Sequence, residues 1–331
     1  MLLLFIACSG ADDPPGSGTT ASTGTPLPED PPTDTAPPTD TAPPPPTCLP
    51  AGVYDRTIDV GGVELRYRLT VPEGVEPHPA VIVFHGGGST GAAMEAVSQF
   101  AARGGPRGYA TFFPEGFRVG GVSQVWNAGA CCGPVATLPN HVAATLAMLD
   151  DAQAAGACLD DDRLFATGHS NGAMMTYRLA CEASDRLAAV AISAGTLATE
   201  DQTVDPPDVA FDCTPSRPVP LLHLHGLEDT CVPYDGSEAA QGSDLPAVEE
   251  AVAVFRARAT CPGEPDDVTE GVVRRRRWSC PDDVEVQLVT VEELGHAWAG
   301  SPIYGNPELC GGTTTTAVST TDEALDFFDR Y

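Results

Sequence analysis

From Val53 onward, short apolar runs alternate with stretches of helical periodicity, and few folds accommodate that alternation. Val63 to Val71 alternates apolar and polar residues as a half-buried strand does, whereas Ala80 to Phe84 and Tyr109 to Phe113 are continuous apolar runs of buried-strand length. Leu164 to Thr167, Leu187 to Ser193, Pro220 to His225 and Val284 to Val291 continue the series. Helices are predicted at Ala92 to Arg103, His141 to Gly156, Ala173 to Ala183, Val248 to Ala259 and Asp322 to Tyr331. Strands taking turns with helices predict an α/β fold built on a doubly wound, mainly parallel sheet. The roughly 280 residues involved suffice for one such core with small loop or cap insertions. Reactive residues are then expected just beyond the carboxyl ends of the strands.

The first fifty residues follow another pattern. Met1 to Ala7 is almost wholly apolar, and Cys8 is followed by small and acidic residues, so residues 1–8 resemble the end of a bacterial lipoprotein signal in which Cys8 is lipidated. Residues 9–50 are dominated by Pro, Thr, Gly, Ser, Ala and Asp, with Thr-Asp-Thr-Ala-Pro-Pro at 33–38 repeated from Thr39. That composition has nothing to bury and favours an extended tether ahead of a catalytic domain at 51–331.

Charge narrows the partners. The 46 acidic residues face 17 basic ones, all Arg, so nucleic acid and anionic membrane surfaces are poor partners and membrane contact is expected only through an N-terminal lipid anchor. The run Arg274 to Arg277, between Val273 and Trp278, is read as a solvated hairpin face rather than a binding spot. Eleven cysteines, none in zinc-site spacing, point to an oxidising, extracytoplasmic location. With Cys8 lipidated, ten remain for five disulfides. Cys261 and Cys280, which flank a turn-rich excursion between a helix and a strand, are the expected local pair, and the adjacent Cys131 and Cys132 are each expected to find a distant partner.

Chemistry concentrates at Gly168-His169-Ser170-Asn171-Gly172, placed between the strand ending at Thr167 and the helical run from Ala173. A G-x-S-x-G in a strand, turn, helix context is a nucleophile elbow, where the turn exposes the Ser hydroxyl at a helix N-terminus. A second match, Gly87-Gly88-Ser89-Thr90-Gly91, competes. Gly86 makes its turn longer and looser, and choosing Ser89 would leave no upstream loop for an oxyanion hole. With Ser170 as nucleophile, His85-Gly86-Gly87-Gly88 supplies that loop, and backbone N–H groups of Gly87 and Asn171 are the expected oxyanion donors. The acid and base should follow in that order. Asp229 stands in the turn after the strand Pro220 to His225, ahead of Glu228 and Asp235 as candidates, and His296 is the one His of seven that comes later. His169, His223 and His225 are read as packed or hydrogen-bonded. A metal site at His223-x-His225 is disfavoured because Leu227 and Glu228 stand where an HxHxDH motif needs Asp and His. No metal or cofactor is expected.

As an ordered set, these residues resemble the esterase and polyhydroxybutyrate depolymerase family, which includes the feruloyl and acetylxylan esterases of carbohydrate esterase family one. The resemblance rests on His85-Gly86-Gly87-Gly88, on Trp126-Asn127-Ala128-Gly129-Ala130-Cys131-Cys132-Gly133 and on Gly168 to Met175. His225-Gly226 with Asp229 and Val232-Pro233-Tyr234, and Gly295-His296 with Trp298, complete it. Ala299 stands where the family often has Pro, and Glu293-Leu294-Gly295 replaces a glycine-rich approach to the His. The resemblance implies an α/β-hydrolase fold and ester hydrolysis through an acyl-enzyme. Short acyl or hydroxybutyrate-type esters are the first substrate expectation, and feruloyl or acetylated polysaccharide esters the alternative. Trp126 and Trp298 are read as pocket walls, with simple core packing the competing role. A non-catalytic binding lipoprotein on the same scaffold is the rival of another class, disfavoured by the completeness of the triad.

Overall fold

The computed structural model describes residues 48–331 except 75, 120–122, 130–138, 202–207, 210, 241–242 and 304–309. Cys8, the tether as far as residue 47, and Cys131 to Gly133 lie outside the described residues. Residues 48–50, assigned above to the tether, are instead held to the domain. Cys48 is disulfide-bonded to Cys158, and the Leu49 N–H donates to the Gly156 carbonyl at 2.7 Å.

The chain enters as an antiparallel hairpin, β1 (Gly52–Val60) and β2 (Val63–Val71), then forms β3 (His78–Phe84). Helices α1 (Gly91–Ser98) and α2 (Phe100–Gly104) lead to β4 (Ala110–Pro114) and a short ladder of β5 (Phe117–Val119) with β6 (Ser123–Val125). The centre is α3 (His141–Ala154), β7 (Leu159–His169), α4 (Asn171–Glu182) and β8 (Ala189–Ser193). A two-residue ladder, β9 (Glu200–Asp201) with β10 (Asp208–Val209), precedes β11 (Leu221–Gly226). After β12 (Ser237–Ala240), β13 (Ser243–Leu245) and α5 (Val248–Arg258) come β14 (Asp266–Glu270), β15 (Val273–Ser279), β16 (Glu285–Val291) and α6 (Thr320–Phe328).

Ten strands form one sheet in the order β1-β2-β4-β3-β7-β8-β11-β16-β15-β14. The six from β4 to β16 are mutually parallel, and two antiparallel strands flank them at each end. The parallel strands are buried on both faces, which is why they read as unbroken apolar runs. Along β3, Ala80, Ile82 and Phe84 pack with α3, α4 and α5, while Val81 and Val83 pack with α1, α2 and α6. Each large side chain so buried is worth about 1.5–3 kcal/mol. The doubly wound sheet expected from the sequence is the one observed.

One expectation changes, and another is met with added detail. The helix expected over Ala92 to Arg103 is broken, because Gln99 adopts a left-handed conformation (φ 55°) and its N–H caps Glu95, ending α1. The arginine run lies on β15 with every guanidinium paired: Arg274 with Asp267, Arg275 with Glu323 and Arg276 with Glu249, each at 2.5 Å, and Arg277 with Glu285 at 3.4 Å. It is a neutralised hairpin face, with no basic patch left over.

Among the described residues, four disulfides join Cys48 to Cys158, Cys181 to Cys213, Cys231 to Cys310 and Cys261 to Cys280, the last being the pair expected from sequence. Such bonds belong to an oxidising, extracytoplasmic compartment.

Candidate active site

The carboxyl edge of the parallel strands carries every residue singled out for chemistry. Ser170 sits between β7 and α4 with φ 57° and ψ −124°, a conformation costing a non-glycine residue about 1–3 kcal/mol. Three backbone hydrogen bonds hold it there. The Ser170 N–H donates to Ser193 O at 3.0 Å, and its own carbonyl accepts from Ala173 and Met174 as α4 begins. Gly168 and Gly172 are required by the tightness of the turn: a Cβ on Gly168 would strike the Gly172 backbone, and one on Gly172 would strike the carbonyls of Phe84 and His85. The competing Ser89 has no such elbow. Its N–H closes a turn onto Gly86 O at 3.1 Å, and the next residue, Thr90, is an ordinary N-cap accepting from Ala93 N–H at 3.1 Å.

Asp229 and His296 come from the turns after β11 and β16, which are adjacent in the sheet. His296 Nδ1 donates to Asp229 Oδ2 at 2.7 Å, and Asp229 Oδ1 accepts from the N–H groups of Cys231 and Val232 at 2.9 and 2.8 Å. The Asp229 side chain is fully buried, so these bonds replace water rather than compete with it. The half-buried His169 places its ring 4.7 Å from that of His296.

Both turns are bound to one downstream segment. The Thr230 N–H donates to Cys310 O at 3.1 Å beside the Cys231–Cys310 disulfide, and the Gly295 N–H donates to Thr313 O at 3.0 Å. Nothing in the sequence singled out Cys231 or Cys310 for this role. Opening the disulfide with Cys231→Ser and Cys310→Ser is expected to cost about 2–5 kcal/mol in urea unfolding. It should also lower kcat for nitrophenyl acetate in protein that remains folded. Unchanged kcat would show that the Asp229 and His296 turns do not depend on the staple.

The loop after β3 lies against Ser170, and a Cβ on Gly86 would sit 3.4 Å from that of Ser170. His85 holds this loop from below. Burial pushes its imidazole down to about 4, so it is neutral, donating from Nδ1 to Gly86 O at 2.8 Å and accepting the Gly116 N–H on Nε2 at 2.9 Å. The Gly88 N–H donates to Gln124 O at 2.7 Å. Asn171, fully buried, accepts from Trp126 N–H on Oδ1 at 2.7 Å, and its own backbone N–H is the first of α4, where no residue of the helix can satisfy it.

The tryptophans differ from expectation. Trp126 is 1% exposed, its Nε1–H spent on His85 O at 2.7 Å, and Trp298 is 3% exposed, its Nε1–H spent on Thr321 Oγ1 at 2.9 Å. Neither presents a face to a substrate. Both are packing residues, Trp126 under the loop after β3 and Trp298 against Phe100 and His169. Nor do His223 and His225 have ring nitrogens to offer a metal, since all four are engaged in hydrogen bonds within the fold.

Comparison with known proteins agrees with this fold. A strained serine on an elbow, with a bonded His and Asp on the same edge of a parallel sheet, is the arrangement of an α/β-hydrolase. Residues 136–251 match a family model described as Phospholipase/Carboxylesterase. NocK of Nocardia uniformis subsp. tsuyamanensis, an esterase by name, is 30% identical over 296 residues, covering 82% of this chain and 81% of its own. Feruloyl esterase B of Piromyces equi is 31% identical over 223 residues, 66% of this chain and 39% of its own. An acetyl xylan esterase from Aspergillus awamori superposes with a TM-score of 0.60 at 16% identity, over 85% of this chain and all of that one, a likeness of fold. The chain belongs to this family of carboxylic-ester hydrolases.

Proposed function

We propose that the protein hydrolyses esters through a covalent acyl-enzyme on Ser170. The observation carrying this reading is the 2.7 Å contact of His296 with a buried Asp229 on the sheet edge where the strained elbow presents Ser170. Ser170 Oγ attacks the ester carbonyl carbon while His296 takes its proton, and the backbone N–H groups of Gly87 and Asn171 receive the developing oxyanion. Asp229 holds the imidazolium. Collapse of the intermediate breaks the carbonyl–alkoxy bond, His296 returns its proton to the leaving alcohol, and water attacks the acyl-enzyme by the same route to release the acid. Labelling by a fluorophosphonate, abolished in Ser170→Ala, separates this reading from a non-catalytic binder.

The acyl group is proposed to be small. The stretch from Gly195 to Arg217 contributes only the β9–β10 ladder among its described residues and is moored to α4 by Cys181–Cys213, which supports an open site rather than a long acyl tunnel. For the alcohol side, the similarity to a feruloyl esterase supports a polysaccharide hydroxyl over hydroxybutyrate oligomers, which rest on motif resemblance alone; acetyl is then the acyl group that fits the open site, and the larger feruloyl the alternative. On a panel of nitrophenyl esters, methyl ferulate, acetylated xylan and hydroxybutyrate trimer, turnover should peak at about two to four acyl carbons and fall beyond roughly eight, since a methylene left in water gains none of the ~0.8 kcal/mol of a buried one. Preference for long chains would refute the open site, and a clear advantage for the trimer would restore the hydroxyalkanoate reading. Cys8 and the tether support anchoring at the cell surface. Loss of palmitate labelling in Cys8→Ala tests it.

A further inference from the structure

We infer that Tyr177, His223 and His225 form a buried positioning relay whose donors all point toward Asp229, so that an N–H and never a lone pair faces the carboxylate. The inference rests on the triad assignment above. The three side chains are fully buried, and burial holds both imidazoles below and the phenol above their ordinary pKa values, so all are neutral. Tyr177 Oη lies 2.6 Å from His223 Nδ1, His223 Nε2 lies 3.0 Å from His225 Nδ1, and His225 Nε2 lies 2.8 Å from Val232 O and 3.5 Å from Asp229 Oδ2.

A neutral imidazole has one donor and one acceptor, and these distances admit one assignment. Val232 O can only accept, so His225 carries its proton on Nε2 and accepts on Nδ1. His223 must then donate from Nε2 and accept on Nδ1, which leaves the Tyr177 hydroxyl as donor. The opposite polarity would aim a lone pair of His225 at both a carbonyl and a carboxylate. The relay therefore grips the Asp229 turn from behind: Val232 donates its N–H to Asp229 Oδ1 and gives its carbonyl to His225, while Oδ2 lies between His296 and His225. Because Tyr177 belongs to α4, the helix that carries the elbow also sets the polarity of the groups behind the acid.

Nitrogen-15 NMR of histidine-labelled protein tests the polarity without any substitution: both His223 and His225 should carry their proton on Nε2 with Nδ1 unprotonated. Tyr177→Phe removes the terminal donor and touches no triad residue. It should lower kcat for nitrophenyl acetate about tenfold with KM nearly unchanged, because Asp229 is misplaced rather than the substrate, and should mix the tautomers of His223 and His225. Protonation of His225 on Nδ1 in the parent protein would overturn the inference, as would Tyr177→Phe with unaltered kcat. Failure of the triad reading is recognised separately, by near-normal turnover in Ser170→Ala, whatever the tautomers prove to be.

Discussion

Ser170→Ala is expected to lower nitrophenyl acetate turnover by about 10⁴-fold or more, and His296→Ala by a similar factor, while the double variant falls little further. The near-equality follows from interdependence. Without the hydroxyl there is no nucleophile for the imidazole to deprotonate, and without the imidazole the hydroxyl is a poor nucleophile, so either loss ends the same pathway. What survives is binding and oxyanion stabilisation, which neither substitution touches. Ser89→Ala should be far milder, since Ser89 closes a turn ahead of α1 through its backbone. Near-normal hydrolysis in Ser170→Ala would overturn the assignment, and strictly multiplicative losses in the double variant would show that the two groups act separately.

The second large effect is acid unfolding. His85, His141, His223 and His225 are buried and neutral, with burial pushing His85 down to about 4, His141 to about 3 and the other two below their ordinary value. Unfolding returns each to an imidazole of pKa about 6.5. Between the folded and unfolded values the unfolded chain binds more protons, so stability falls as pH drops below about 6.5, by about 1.4 kcal/mol per pH unit for each group. Four together weigh heavily against a total stability of about 5–15 kcal/mol. Circular dichroism should show cooperative unfolding between about pH 6 and 4, accompanied by uptake of several protons, before carboxylate titration dominates. Retention of the fold at pH 3, or unfolding without proton uptake, would show that these histidines are not neutral in the native state.

Much of this arrangement was legible in the sequence, and the misses share a cause. The parallel strands showed because burial on both faces writes an unbroken apolar run. The candidate residues Ser170, Asp229 and His296 showed because each sits in the turn after its strand. What depended on a distant partner did not show. Whether Trp126 lines a pocket or props a loop depends on the carbonyl of His85, 41 residues away. The residues His223 and His225 could be read as hydrogen-bonded, but their polarity depends on Tyr177, 46 residues from His223. The break at Gln99 has no local signal either, since left-handed backbone there is imposed on a residue that does not favour it.

The connectivity of the disulfides also bears on biogenesis. A chain threaded N-terminus first into an oxidising space meets its cysteines in order, and an oxidase acting without the fold joins neighbours in that order. Such neighbour pairing yields Cys181–Cys213 directly, and Cys261–Cys280 too once Cys231 is spared. Neither Cys48–Cys158, whose partners are separated by Cys131 and Cys132, nor Cys231–Cys310 can arise this way, the latter because Cys231 must wait while Cys261 and Cys280 emerge and find each other. Premature capture of Cys231 by Cys261 would leave the acid-bearing turn tied to the wrong part of the chain. Native pairing at Cys48 and Cys231 therefore needs each thiol to be held free or reshuffled, and an isomerase is expected to raise the yield of correctly paired protein.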